Sequence, residues 1–424
     1  MPDFSELKQQ AEKLAKQRQW KQAFDTYKIM FTNYPDHVEF SAWDNYWYAR
    51  CAFETGRIDF ALKLSHRLKK LYPQFTYNNN LLTQIKLSIL QRKAKIMQSE
   101  EIVAEYQQII QTIDDDYWAS KIVINVARIL MSKEQHKLAL EILVDFDKKR
   151  LSDKLLKTPE GKTIPSQQES FYLLMAKLLV INKLYEKAVE IIDWVLENIK
   201  LTGNNRKWFI LYKADALANM AEYEKAIEQY MQINKRPVWF IDFRVARVLY
   251  NMEKYKPALS FLCRSALSHD QSTWFKIGVF KYFLKNFADR FSKEQLNNLV
   301  LMIIALYKEN GHANSDFVQQ LSQRFGIKID APIDLKSVEK QTYHTIKKIY
   351  YGRTFNGRII RILRNSGFIQ GGQKNIYFRF DDVRFDKKLL RQGLAVKYNV
   401  VWDYDYGKKR LAEKAVNIRL LNEK

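Results

Sequence analysis

From residue 8 to residue 280, apolar side chains recur with the three-and-four spacing of amphipathic helices, separated by brief polar breaks. Pairs of alanines twelve residues apart mark six of these stretches: Ala11 and Ala23, Ala49 and Ala61, Ala127 and Ala139, Ala176 and Ala188, Ala214 and Ala226, Ala246 and Ala258. A small side chain on each helix of an antiparallel hairpin lets the two backbones approach, so the pairs predict helix hairpins with short turns. Three residues before each second alanine stand Trp20, Ile58, His136, Tyr185, Tyr223 and Tyr255, and four after it Tyr27, Ser65, Leu143, Ile192, Tyr230 and Leu262. These offsets share the alanine's helix face. Pro35 and Pro73 close the first two units, and Gly56 punctuates the second turn. The wide interval between Ala61 and Ala139 predicts a degenerate hairpin between Leu81 and Ile113, while Pro159, Gly161 and Pro165 predict a loop inserted before Ala176. From Thr273 to about Phe325 helical patterns continue without the alanine pair. There the run LVLMIIALY from Leu299 is expected to be buried as the cover of the array's end, a dimer interface being the alternative.

Near residue 355 the period changes from helical to alternating. Candidate strands are Gly357 to Leu363, Gly367 to Ile369, Ile376 to Phe380, Ala395 to Val401 and Ala415 to Leu420, separated by GGQK, DKKLLRQG and YDYGKKR. Five short strands in this space predict a small closed or partly closed barrel. Alternation puts Ile376, Phe378 and Phe380 on one face and Tyr377 and Arg379 on the other. The expected organisation is a helical repeat domain with capping helices over 1–325, a linker or basic helix over 326–354 and the barrel over 355–424.

The paired alanines, their large neighbours and the terminal prolines resemble the tetratricopeptide repeat family. The resemblance implies a right-handed superhelix whose concave surface takes a peptide, a protein or another helical segment, and it implies no chemistry. The fold class is therefore mainly α-helical, a tetratricopeptide-like solenoid followed by a five-stranded β-barrel. The barrel segment resembles the cold-shock member of the OB-fold group. Gly357, Gly367-Phe368-Ile369, the run Asn375 to Phe380, Gly393, Val396, Tyr398 and Ala415 to Ile418 carry that resemblance. It implies that Phe368, Tyr377, Arg379 and Phe380 face nucleic acid, Phe380 being simple core if strand alternation alone decides. Ser366 and Asn365 depart from the family's second-strand motif, which has an aromatic and a glycine there.

Charge sharpens this picture. The 424 residues carry a formal +23, and Glu339 to Lys424 alone, with 20 basic and 8 acidic residues, carry +12. An anionic partner is expected, with aromatic rings stacking on bases and Arg361, Arg364, Lys374, Arg379 and Lys397 meeting the phosphate path. Arg384, Lys387, Lys388 and Lys408 to Arg410 extend the positive potential. Two cysteines, Cys51 and Cys263, exclude a disulfide framework and a four-thiolate metal site. The six histidines, His37, His66, His136, His269, His312 and His344, have no metal-ligand spacing. Asp114 to Asp116 reads as a helix start and Gly371-Gly372 as a turn. No enzyme constellation and no cofactor motif is found. No apolar signal core opens the chain and no apolar run is long enough for a transmembrane helix, so a cytoplasmic protein is expected. The expected function is an adaptor that binds single-stranded RNA or DNA through the barrel and a protein partner through the repeats, with oligomeric state left open. The alternative is a protein-interaction scaffold whose barrel is structural or binds protein.

Overall fold

The computed structural model describes residues 3–35, 40–158, 160–234, 236–329 and 332–421; His37 and Pro159 lie outside them. The chain forms two compact units, Met1–Tyr212 and Lys213–Lys424, with the division falling inside one helix.

In the first unit the helices α1 (Phe4–Lys16) to α10 (Tyr185–Asn198) form successive hairpins. The pairs are α1 with α2 (Trp20–Asn33), α3 (Ala42–Glu54) with α4 (Ile58–Leu71), α5 (Tyr77–Lys93) with α6 (Ser99–Ile110), α7 (Asp116–Ser132) with α8 (His136–Asp145), and α9 (Gln167–Ile181) with α10. Helix α11 (Asn205–Asn219) begins in this unit and ends in the second. The α5–α6 hairpin occupies the interval where the alanine signal lapses. The insertion ahead of α9 is not a bare loop, because Leu156–Lys157 (β1) pairs antiparallel with Thr163–Ile164 (β2) before Ser166 caps the helix. The second unit continues with α12 (Tyr223–Ile233), α13 (Trp239–Asn251), α14 (Tyr255–Leu267), α15 (Ile277–Asn286), α16 (Lys293–Glu309), α17 (Asp316–Phe325) and α18 (Leu335–Tyr351).

All twelve paired alanines are fully buried. The turn between them is the same in every hairpin that has the pair. The residue five positions before the second alanine adopts the left-handed conformation: Arg18 at φ 59°, Gly56 at 77°, Glu134 at 61°, Lys183 at 62°, Ala221 at 61° and Glu253 at 61°. The next amide reaches back to a carbonyl of the first helix, as in Gln19 N to Leu14 O at 2.9 Å and Glu222 N to Leu217 O at 2.9 Å. Its own carbonyl then accepts from the second alanine's amide, at 2.9 Å for Ala23 and 3.0 Å for Ala226. The large residues three before the second alanine are the first residues of α2, α4, α8, α10, α12 and α14. Those four after it are buried. The apolar run of α16 is buried as expected of a cover, and α18 packs along both α16 and α14.

The last five strands close a barrel in the order β3 (Thr354–Ile362), β4 (Ser366–Gly371), β5 (Lys374–Arg379), β7 (Arg410–Leu420), β6 (Ala395–Asp405). All pairings are antiparallel except β5 with β7, which runs parallel at Tyr377↔Lys414 and Phe378↔Ala415. Ile359, Ile369, Phe378, Val396, Tyr398 and Ile418 fill the interior. The walls leave no room for extra atoms at three glycines, Gly357, Gly367 and Gly371. A Cβ on Gly367 would lie 2.6 Å from the Arg361 carbonyl, and one on Gly371 would lie 1.7 Å from the Tyr398 hydroxyl. The segment read as a separator, Tyr404 to Arg410, holds the turn at 406–409, while β6 and β7 run further than expected and pair as a long hairpin up to Asp405 and Arg410.

Candidate nucleic-acid interface

The outer surface of the barrel is built by period-two alternation. Cross-strand pairing lines up Arg361 on β3, Phe368 on β4, Tyr377 on β5 and Lys414 on β7 in one row. The rings of Phe368 and Tyr377 meet edge to face, with centroids 5.8 Å apart. Both are half-buried, while Ile376 and Phe378 point inward and are buried. Ser366 pairs with Arg379 one step further along, placing that guanidinium on the same outer face. A groove of about 740 Å³ runs beside this row; Phe368, Tyr377, Arg379 and Lys374 line one side, and Trp402, Tyr404, Tyr406, Lys408 and Arg410 of the long hairpin line the other.

The other predicted residues are placed differently. Arg361 and Arg364 are exposed, on β3 and in the turn after it. Phe380 begins a short 3-10 turn, its ring stacked on Phe378 at 6.2 Å and packed against the barrel core. Lys397 lies on β6 between Asn356 of β3 and Arg419 of β7, off the Phe368–Tyr377 row. Among the basic residues of the loop, Lys408 and Arg410 line the groove, but Lys409 turns to Glu228 of α12 at 2.6 Å. Trp402, Tyr404 and Tyr406 were missed in the sequence because the expected strand stopped at Val401 and Asp and Gly residues made Tyr404 and Tyr406 read as part of a turn, where Tyr406 does stand. Their alternation was the available signal.

The hairpin side of the groove is fixed by buried charge and by hydrogen bonds from the helices. Arg264 of α14 makes two bonds to Asp242 of α13, at 2.7 and 2.6 Å, and a third to Asp403 of β6 at 2.6 Å. Lys414 lies 2.9 Å from Asp382 and 3.4 Å from Asp403, so its charge is spent internally rather than on the row it shares with Tyr377. Burial by itself would raise the Asp403 carboxyl, but Arg264 and Lys414 outweigh it and hold that carboxyl below its ordinary value. Tyr406 donates to the Asn234 carbonyl at 3.2 Å, and burial followed by the nearby Asp403 pushes its hydroxyl up to about 12. The Ser260 hydroxyl takes the Trp402 amide at 3.0 Å and donates to the Trp402 carbonyl at 3.1 Å, closing both backbone groups of one strand residue. Among the described residues no group of three His, Cys, Asp or Glu side chains is placed to hold a metal ion, and no helix is long and apolar enough to cross a membrane.

No protein-family model matches the chain, and no curated protein matches it. Among solved structures, a tetratricopeptide repeat protein from Parabacteroides merdae is similar at 14% identity and a TM-score of 0.44, covering 67% of this chain and 98% of its own. The C-terminal part of a TPR repeat-containing protein from Cytophaga hutchinsonii is similar at 16% identity and a TM-score of 0.37, covering 75% of this chain and 99% of its own. The apo form of RapI matches at 13% identity and a TM-score of 0.42, covering 82% of this chain and 99% of its own. The tetratricopeptide-like character of the helical array rests on its own repeated turn and buried alanine pairs.

Proposed function

We propose that this protein is a nucleic-acid-binding adaptor, with single-stranded RNA held on the barrel and a protein partner held by the helical hairpins. The observation that carries the reading is the paired rings of Phe368 and Tyr377 at the edge of a groove that also carries Lys374, Arg379, Lys408 and Arg410. Rings offer faces to any base, and the surrounding cations meet the phosphates between them. The strand order and the parallel β5–β7 closure support the cold-shock-like OB assignment. RNA is preferred over single-stranded DNA because a cytoplasmic protein meets abundant exposed transcripts. In this reading Arg361 and Arg364 extend the phosphate path from β3, whereas Phe380 supports Phe378 from below and Lys397 contributes only long-range potential.

The test is fluorescence anisotropy of the full chain with labelled single-stranded RNA, single-stranded DNA and a duplex control across a salt series. Tyr377→Ala is expected to cost about 1–3 kcal/mol of binding through lost stacking. Arg379→Gln is expected to weaken all sequences alike and to lower the salt slope by about 1. Wild-type affinity and slope in both folded variants would remove this face from consideration. If the unaltered protein also binds neither polymer, the barrel is structural and the protein a scaffold.

A further inference from the structure

Three cavities meet at one side chain in the second unit. Trp402 borders the groove of about 740 Å³ beside Tyr377, a cavity of about 840 Å³ against α12 and the start of α14, and a cleft of about 660 Å³ between the barrel's end and helices α14 and α18. The groove and the cleft share Lys374, Ile376, Trp402 and Glu413, so a chain leaving the groove passes directly into the cleft. We propose that the cleft is a second subsite for the same single strand, in which a base stacks on Phe355 and Lys256 and Arg353 meet the flanking phosphates. This rests on the barrel reading above and adds the helical array to the binding surface.

The chemistry of the cleft favours this occupant. Phe355 is 41% exposed, so one face of its ring is open to the cleft it lines. Its ring stacks on Tyr398 at 6.0 Å with a tilt of 29°, and the Arg353 guanidinium stands 5.8 Å from its centroid. Lys256 on α14, Arg353 ahead of β3 and Lys374 on β5 supply three cations, against one lining carboxylate, Glu413, which lies 3.7 Å from Lys374. Aromatic faces ringed by cations are the makings of a sequence-tolerant single-strand site. The volume lies within the roughly 300–1,000 Å³ of sites that enclose small organic groups. Trp402 marks the crossing point, and Ser260 of α14 holds its backbone in place through both polar groups. A strand held here touches barrel and helices together, which the barrel face alone does not achieve.

The experiment compares oligouridylates of about 4 and about 12 nucleotides, both within the site sizes of single barrels of this kind, on the full-length protein. Phe355→Ala and Lys256→Gln are the variants, with Tyr377→Ala as reference. The longer oligomer is expected to bind more tightly than the shorter one. Phe355→Ala is expected to weaken the longer oligomer roughly 5- to 150-fold while leaving the shorter one unchanged, and Lys256→Gln to lower the salt slope by about 1 for the longer oligomer only. Lys256 is exposed on α14, so its replacement leaves packing intact and decides the matter if Phe355→Ala disturbs the fold. If Tyr377→Ala weakens both lengths but neither cleft variant affects either, the second subsite is overturned and the barrel reading stands. If no oligomer binds, both fail together.

Discussion

Arg264 sits where three carboxylate bonds converge in the interior of the second unit, and its value lies in what its loss would strand. Asp242 is nearly fully buried and has Arg264 as its counter-charge, while Asp403 keeps Lys414 at 3.4 Å. Breaking a buried pair from one side leaves an uncompensated charge in low dielectric, so Arg264→Gln is expected to cost about 3–5 kcal/mol. Urea unfolding of the full chain measures this, and Asp242→Asn in the same chain is expected to return part of the loss. At this scale the sequence showed Phe368, Tyr377 and Arg379 correctly as neighbours, because alternation along β5 and one hairpin register determine which residues share a face. It could not show that Lys414 joins their row with its charge already neutralised, since the acids that neutralise it come from other segments.

The hairpins are the element in which pattern and geometry agree most closely. Alanine spacing is readable because only a small side chain tolerates the close crossing, and each of the twelve is buried without residual exposure. Ala226→Leu is therefore expected to destabilise the protein by roughly 1–3 kcal/mol in chemical unfolding, since the added branches must displace a helix. The left-handed turn residue left almost no trace, because Gly56 alone advertises it while Arg18, Glu134, Lys183, Ala221 and Glu253 adopt the same conformation. A β-carbon is costly there, so Ala221→Gly is expected to stabilise by about 1 kcal/mol. The same change at Ala218, inside α11, is expected to destabilise by about 0.5–1 kcal/mol. Measuring the two side by side separates turn strain from the general cost of glycine. The α5–α6 hairpin was legible as a degenerate hairpin only from the length of the interval, and the β1–β2 ladder only as a loop, for neither uses the alanine device.

Across the whole molecule, the change from helical to alternating period located the barrel and its five strands, but nothing local could reveal how the barrel is held. Arg264 lies 139 residues from Asp403, and Ser260 lies 142 from Trp402, distances at which a single sequence carries no pairing signal. Because these bonds join β6 to α14, the two elements are expected to open as one. Hydrogen exchange of the full chain should give the amides of Val401 to Tyr404 and those of α14 a common opening free energy, and Arg264→Gln should lower both together. The strand order has a consequence in time as well. Strand β7 lies between β5 and β6, so the barrel cannot close before residues 410–420 exist, whereas each helix hairpin is complete within its own few dozen residues. At about 5–20 residues per second, a ribosome spends roughly 7–30 s between finishing α14 and finishing the barrel's closing strand. During that interval the helical hairpins through α14 can already be formed, while the row of Arg361, Phe368, Tyr377 and Lys414 cannot yet be assembled.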